Sequence, residues 1–155
     1  PEGQNWLPIH TFLPLSKTQS VLEATRNLFE SNAETMRIHS IEVSYLTATS
    51  GTDFVFEPSF YWPDELGQFR LERIESEFAE RWQSIKANPT ARQIVLDLRR
   101  QLGQIFTDMG GVNIQIGKYY PYQSNMSQKR WDVIKQLKQL LDPKGLMNPG
   151  CLGLH

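Results

Sequence analysis

Hydrophobic and polar positions change period several times along this chain, and each change marks an element. Residues 6–15 (Trp-Leu-Pro-Ile-His-Thr-Phe-Leu-Pro-Leu) read as a first strand, with Pro8 and Pro14 pointing to an edge position or irregular ends. Ser16-Lys17-Thr18-Gln19 has the form of a capping box, and behind it Val21, Leu22, Leu28 and Phe29 fall on one helical face ending near Ser31-Asn32. Ile41, Val43 and Tyr45 alternate with Glu42 and Ser44, which predicts a half-buried strand. Turn residues Thr49-Ser50-Gly51-Thr52 lead to a second strand over 54–60, and so short a connection requires an antiparallel hairpin. Ile74, Phe78, Trp82 and Ile85 repeat at helical spacing. Asn88 as N-cap and Pro89 at the first helical position open another helix, which buries Ile94, Leu98, Leu102 and Ile105 and stops at Gly110-Gly111. Val112, Ile114 and Ile116 alternate with Asn113 and Gln115 as a further strand. A last helix carries Trp131, Ile134, Leu137 and Leu141 and is closed by Asp142-Pro143.

The predicted order is β-α-β-β-α-α-β-α. That is an α+β chain with a ferredoxin-like antiparallel sheet and its helices packed on one face. No linker divides it, so residues 1–155 read as a single domain. With 155 residues and 39% hydrophobic positions, it can bury a core without disulfides or metal. A net charge of −1 removes any general electrostatic reason to bind nucleic acid or an anionic membrane. Cys151 is the single cysteine, which excludes an intrachain disulfide. No run of apolar residues is long enough to span a bilayer and no leader pattern opens the chain, so the expected location is cytoplasmic.

The common catalytic signatures are absent: no phosphate-binding glycine loop, no Cys-x-x-Cys, no His-Glu-x-x-His and no Gly-x-Ser-x-Gly. His10, His39 and His155 stand at no metal-ligand spacing and read as structural or surface residues; no metal is expected. Phe54, Phe56, Phe60, Tyr61 and Trp62 have the density of an RNA-stacking strand, but Asp53, Glu57 and Pro58 interrupt it, and period-two aromatics favour a core. Gly117-Lys118-Tyr119-Tyr120-Pro121-Tyr122 sets three tyrosines around one lysine, a rim suited to an anionic or planar ligand or, equally, a loop packed on the sheet. Asp142-Pro143-Lys144-Gly145 and Asn148-Pro149-Gly150 are two consecutive, strongly specified turns.

Residues 137–150, Leu-Lys-Gln-Leu-Leu-Asp-Pro-Lys-Gly-Leu-Met-Asn-Pro-Gly, resemble the C-terminal signature of FAD-linked oxidases of the vanillyl-alcohol-oxidase superfamily. Gly110-Gly111 and Gly117 match that family's glycine-rich strand more loosely, and the order of elements agrees over residues 6–152. The resemblance implies a cap domain that covers the isoalloxazine of FAD and shapes the substrate pocket. It also implies that FAD is bound mainly by a domain N-terminal to residue 1. The start at Pro1, without a methionine, fits a cut within a longer chain. Such a fragment is expected to bind FAD poorly and to be inactive alone.

Departures from the hydroxy-acid branch matter. Thr49 and Phe56 stand where its hairpin histidines would fall, and Gln115-Ile116-Gly117 replaces its Glu-His-Gly, so its metal and acid/base groups are missing. The phenol-oxidising branch suggests instead Tyr120 as a catalytic residue, and Glu57, one residue beyond Phe56, is the carboxylate placed to act as a base from the hairpin. Thr49, Phe56, Gln115, Lys118 and Tyr119 would contact substrate, and Asn148 the cofactor edge. The implied reaction is oxidation of an alcohol, hydroxy-acid or phenolic substrate by hydride transfer to flavin. The alternative is a non-catalytic ferredoxin-like ligand-binding or dimerisation module; a homodimer remains open in either case.

Overall fold

The computed structural model describes residues 3–115 and 117–154. The first strand is two: β1 (Asn5–Pro8) and β2 (Thr11–Pro14) run end to end along one side of a long strand, β4 (Asp53–Trp62). All pairings are antiparallel, with Pro8 opposite Ser59 and Thr11 opposite Phe56. The break falls opposite Pro58. Ile9 still donates its N–H to the Pro58 carbonyl at 3.0 Å, but Pro58 has no N–H to return. On the other side of β4 lies β3 (Glu42–Ser50), joined to it by the expected hairpin.

β4 is the axis of the domain because its two faces differ. Phe54, Phe56, Pro58, Phe60 and Trp62 alternate on the core side, and all are buried. Over them pack α1 (Thr18–Ser31), through Val21 and Thr25, and α5 (Pro89–Asp108), through Val95, Leu98, Leu102 and Phe106. Each such side chain, fully buried, contributes about 1.5–3 kcal/mol of transfer free energy. The aromatic strand is therefore core, as its period indicated. The Asn88 side chain caps α5 by accepting from the Ala91 N–H at 3.1 Å. At its far end Gly110 (φ 81°) takes the left-handed conformation, and the Gly111 N–H reaches back to the Phe106 carbonyl at 2.8 Å. A Cβ on Gly111 would stand 2.2 Å from Thr11 Oγ1, so only glycine fits there.

Other expectations need correction. The capping box does not form: Leu15–Lys17 is a single 3₁₀ turn, and no side chain caps α1. Gln19 instead donates to Glu23. A short α2 (Ala33–Ile38) follows α1. A single turn, α3 (Gln68–Leu71), comes first, and the helix expected over Ile74–Ile85 is only α4 (Ser76–Trp82), held by Phe78 stacked on Trp82, with Ile74 and Ile85 outside it. β3 is an exposed edge: only Val43 is partly buried along it, although Tyr45 stacks on Phe56. The expected last strand shrinks to one bridge, Phe12 with Val112, and Val112 and Ile114 are exposed. Ile116 lies outside the described residues. In α6 (Gln128–Leu141) only Trp131 is buried, while Leu137 and Leu141 are exposed. Periodicity locates an apolar face, but a neighbour is needed to cover it.

One buried charge joins the end of β4 to the start of α5. Asp64 accepts hydrogen bonds from Arg92 Nε (2.8 Å), Trp62 Nε1 (3.1 Å) and the N–H groups of Glu65 (2.9 Å) and Asn88 (2.7 Å). Burial alone would raise its pKa; these partners outweigh it and hold the carboxyl at about 2, below the ordinary 3.8. A folded value below the unfolded one means a contribution complete above the ordinary pKa and lost as pH falls through 3.8 toward 2. Asp64→Asn should therefore cost about 1–3 kcal/mol at pH 7 and shrink the loss of stability between pH 5 and pH 2, as read by urea denaturation.

Candidate functional site

The site begins at the break between β1 and β2. Ile9, Thr11 and Leu13 point into the core, so His10 and Phe12 turn to the opposite face, where their rings meet edge to face. On β4 the same alternation turns Glu57 to that face, between buried Phe56 and Pro58. The flanking register, Pro8 with Ser59 and Thr11 with Phe56, sets His10 beside Glu57.

The segment after α5 closes over His10, which is itself buried. Asn113 Nδ2 donates to its carbonyl at 2.7 Å, and the Ile114 N–H donates to its Nε2 at 3.1 Å. This is why 112–115 forms no strand beyond the single bridge: its polar groups are directed to His10. Tyr120 then brings its hydroxyl to 2.8 Å from His10 Nδ1, and the rings lie 4.7 Å apart. Arg99 links the cluster to α5. Its Nε donates to the Pro8 carbonyl at 2.9 Å, and its guanidinium stands 3.5 Å over the Tyr119 ring.

Charges in the cluster are tuned. Burial, then the nearby Arg99, lowers the His10 pKa, so the imidazole is neutral near neutral pH. Burial raises Tyr120 above the ordinary phenol value; the His10 N–H and Arg99 oppose the rise, and the charge of Glu57 adds to it. Tyr119 is also raised by burial, against Arg99. Both phenols hold their protons at neutral pH.

Two cavities meet at these tyrosines. An open groove of about 1020 Å³ is lined by Lys118, Tyr119, Tyr120, Tyr122, Trp131 and Pro149, among others. A smaller one of about 390 Å³ lies against α5, between Ile9, Gly103, Phe106 and Asn113, with Tyr119 and Tyr120 shared between the two.

Lys118, Tyr119 and Tyr120 are thus brought together, with Glu57 in electrostatic range of Tyr120. Thr49 and Phe56 are not part of this group. Phe56 is a core residue under α5, and Thr49 pairs with Phe54 on the core-side register of the exposed edge strand. Gln115 is exposed and lines neither cavity. Asn148, exposed with φ 45°, immediately precedes the groove residues Pro149 and Gly150. From sequence His10 reads as a structural or surface residue, and nothing singles out Arg99. The available signal for His10 was its odd position, an imidazole between two core residues of an interrupted strand. Among the described residues no three His, Cys, Asp or Glu side chains converge as a metal site.

The tail beneath the groove is organised by Asp142. Its carboxylate accepts from the N–H groups of Leu146 (2.9 Å) and Met147 (2.8 Å) and from Lys138 Nζ, while Gly145 N–H closes the turn on its carbonyl at 3.0 Å. The Leu152 N–H then donates to the Gly117 carbonyl at 2.8 Å, tying tail to tyrosine loop. Loop, helix and turns form one continuous unit. Residues 111–152 match the family of FAD linked oxidases, C-terminal domain. The matched segment holds most of the residues that line the open groove. No curated protein matches the chain. Among the described residues no helix is long and apolar enough to cross a membrane.

Asp142→Ala removes the acceptor for two backbone donors of this tail at once. Amide hydrogen exchange over residues 144–152 should accelerate by at least tenfold while α5 stays protected; unchanged exchange in the tail would show that Asp142 does not organise it.

Proposed function

We propose that this chain is the substrate-facing wall of an FAD-dependent oxidoreductase that oxidises an alcohol carbon in a hydroxy-acid or phenolic substrate. The observation that carries the reading is the Tyr120 side chain, held by His10 within the fields of Arg99 and Glu57 and lining two adjoining cavities. The residues present suit part of the cofactor. An open groove with tyrosine and tryptophan walls and Lys118 at its edge can take a planar ring with an electron-rich rim, and Asn148 stands next to that groove. No glycine-rich phosphate loop accompanies it, which agrees with a nucleotide half held by an FAD-binding domain elsewhere in the same polypeptide.

Oxidation of an alcohol breaks a C–H bond, the electron pair leaving as hydride, and an O–H bond, the proton going to a base. FAD, when bound, supplies the two-electron acceptor for the hydride. Glu57 takes the proton, being the β4 carboxylate whose charge reaches Tyr120. Tyr120, which keeps its own proton at neutral pH, donates a hydrogen bond to the alkoxide oxygen as its charge develops. Lys118 at the groove edge favours an anionic substrate, a carboxylate or a phenolate.

The non-catalytic module is favoured by one observation, the exposed apolar side of α6 at Val133, Leu137, Leu140 and Leu141. A flavin-free full-length product that sediments as a stable dimer would favour it.

In the full-length flavoprotein, Tyr120→Phe and Glu57→Gln should each slow anaerobic flavin bleaching by substrate about 10²–10⁴-fold, with flavin content unchanged. Wild-type bleaching rates in both variants, or a full-length protein that carries no flavin absorbance, would sink this reading.

A further inference from the structure

We propose that His10 is a positioning residue for Tyr120: locked as one tautomer, it donates from Nδ1 to the phenolic oxygen and turns the phenolic proton outward, toward a ligand oxygen. This deepens the reading above and rests on it for the identity of that ligand, an alcohol or carboxyl oxygen of the substrate.

The tautomer follows from the hydrogen bonds. The Ile114 backbone N–H points at His10 Nε2 at 3.1 Å. A backbone amide can only donate, so Nε2 must carry a lone pair. A neutral imidazole then holds its proton on Nδ1, and Nδ1 faces the Tyr120 oxygen at 2.8 Å. Protonation to imidazolium is opposed on two counts, because it would set two N–H groups against each other at Nε2 and add a cation next to Arg99.

The Tyr120 oxygen consequently receives two donors, His10 Nδ1–H and the His10 backbone N–H at 3.4 Å, and the Arg99 charge stands near it. Its own proton must point elsewhere. Among the described residues no acceptor stands within hydrogen-bond reach of it once Nδ1 is a donor, although Tyr120 is buried. A buried hydroxyl with an unspent donor is costly unless something accepts from it. Tyr120 lines both cavities, so that donor is offered to whatever fills them. The charged and titratable groups facing the pair come from every neighbouring element: Arg99 from α5, Glu57 from β4 and Tyr119 from the loop.

The test begins in the 155-residue chain without flavin. Long-range ¹H–¹⁵N correlation spectra of the histidine rings should show His10 with Nδ1 protonated and Nε2 bare; the Nε2–H tautomer would overturn the inference. Alkaline difference titration, with Tyr120→Phe used to isolate the Tyr120 signal, reads the consequence. His10→Phe removes the donor and should weaken Tyr120 ionisation about tenfold, whereas His10→Asn, whose amide nitrogen falls near the Nδ1 position, should restore most of it. Equal titrations in wild type and both variants would also overturn it. If His10→Phe does not fold, the tautomer still decides.

In the full-length flavoprotein, His10→Phe should lower kcat about tenfold with KM little changed, and His10→Asn should recover it. A correct tautomer and titration, together with a full-length protein that no alcohol reduces, would retain His10 as the positioner of Tyr120 and reject the oxidoreductase reading instead.

Discussion

Burial of one face of β4 under α1 and α5 is the constraint from which the rest of the molecule follows. Phe54, Phe56, Phe60 and Trp62 cannot leave the core without exposing aromatic rings, and a strand alternates strictly. Their burial fixes the direction of Glu57, and pairing with β4 fixes the direction of Ile9, Thr11 and Leu13 in turn. His10 and Glu57 share a face because slippage by one residue would bring the whole aromatic set to water.

On that frame, Pro58 has an effect out of proportion to its size. With no N–H to give, it interrupts the ladder opposite Ile9, and the chain there is free to break between β1 and β2. His10 sits in the break. Its carbonyl and ring then draw the polar groups of Asn113 and Ile114, which would otherwise have extended the sheet. What the fold loses in the expected strand after α5 it gains as a buried imidazole with both ring nitrogens engaged. Arg99 and Tyr120 complete the arrangement from two further elements, so the cluster exists only where strand break, helix and loop meet.

The C-terminal part has a different economy. α6 and the tail are held by Trp131, by the turn around Asp142 and by the tie from Leu152 to Gly117, with few apolar contacts to the main core. The segment matched to FAD linked oxidases is therefore the one that is least self-sufficient, and its apolar side at Leu137, Leu140 and Leu141 faces solvent in this chain. Specific turns substitute for burial there: Asp142 organises the backbone with hydrogen bonds where no core is available to do so.

The antiparallel hairpin, the long capped helix, its glycine stop and the aromatic core strand were legible in the residues alone. Each depends on local chemistry: period two, an Asn-Pro cap, a left-handed glycine. The tail was legible for the same reason, since turn residues act over four positions. The first strand's division, the loss of the last strand, the uncovered side of α6 and the separation of Thr49 and Phe56 from the groove were not, because each turns on what lies opposite in space. Lys118, Tyr119 and Tyr120 could be picked out as neighbours in sequence. Only the tertiary structure could bring His10 and Arg99 to them, across more than a hundred positions in the case of His10 and Tyr120, because pairing against β4 and the packing of α5 decide which atoms meet.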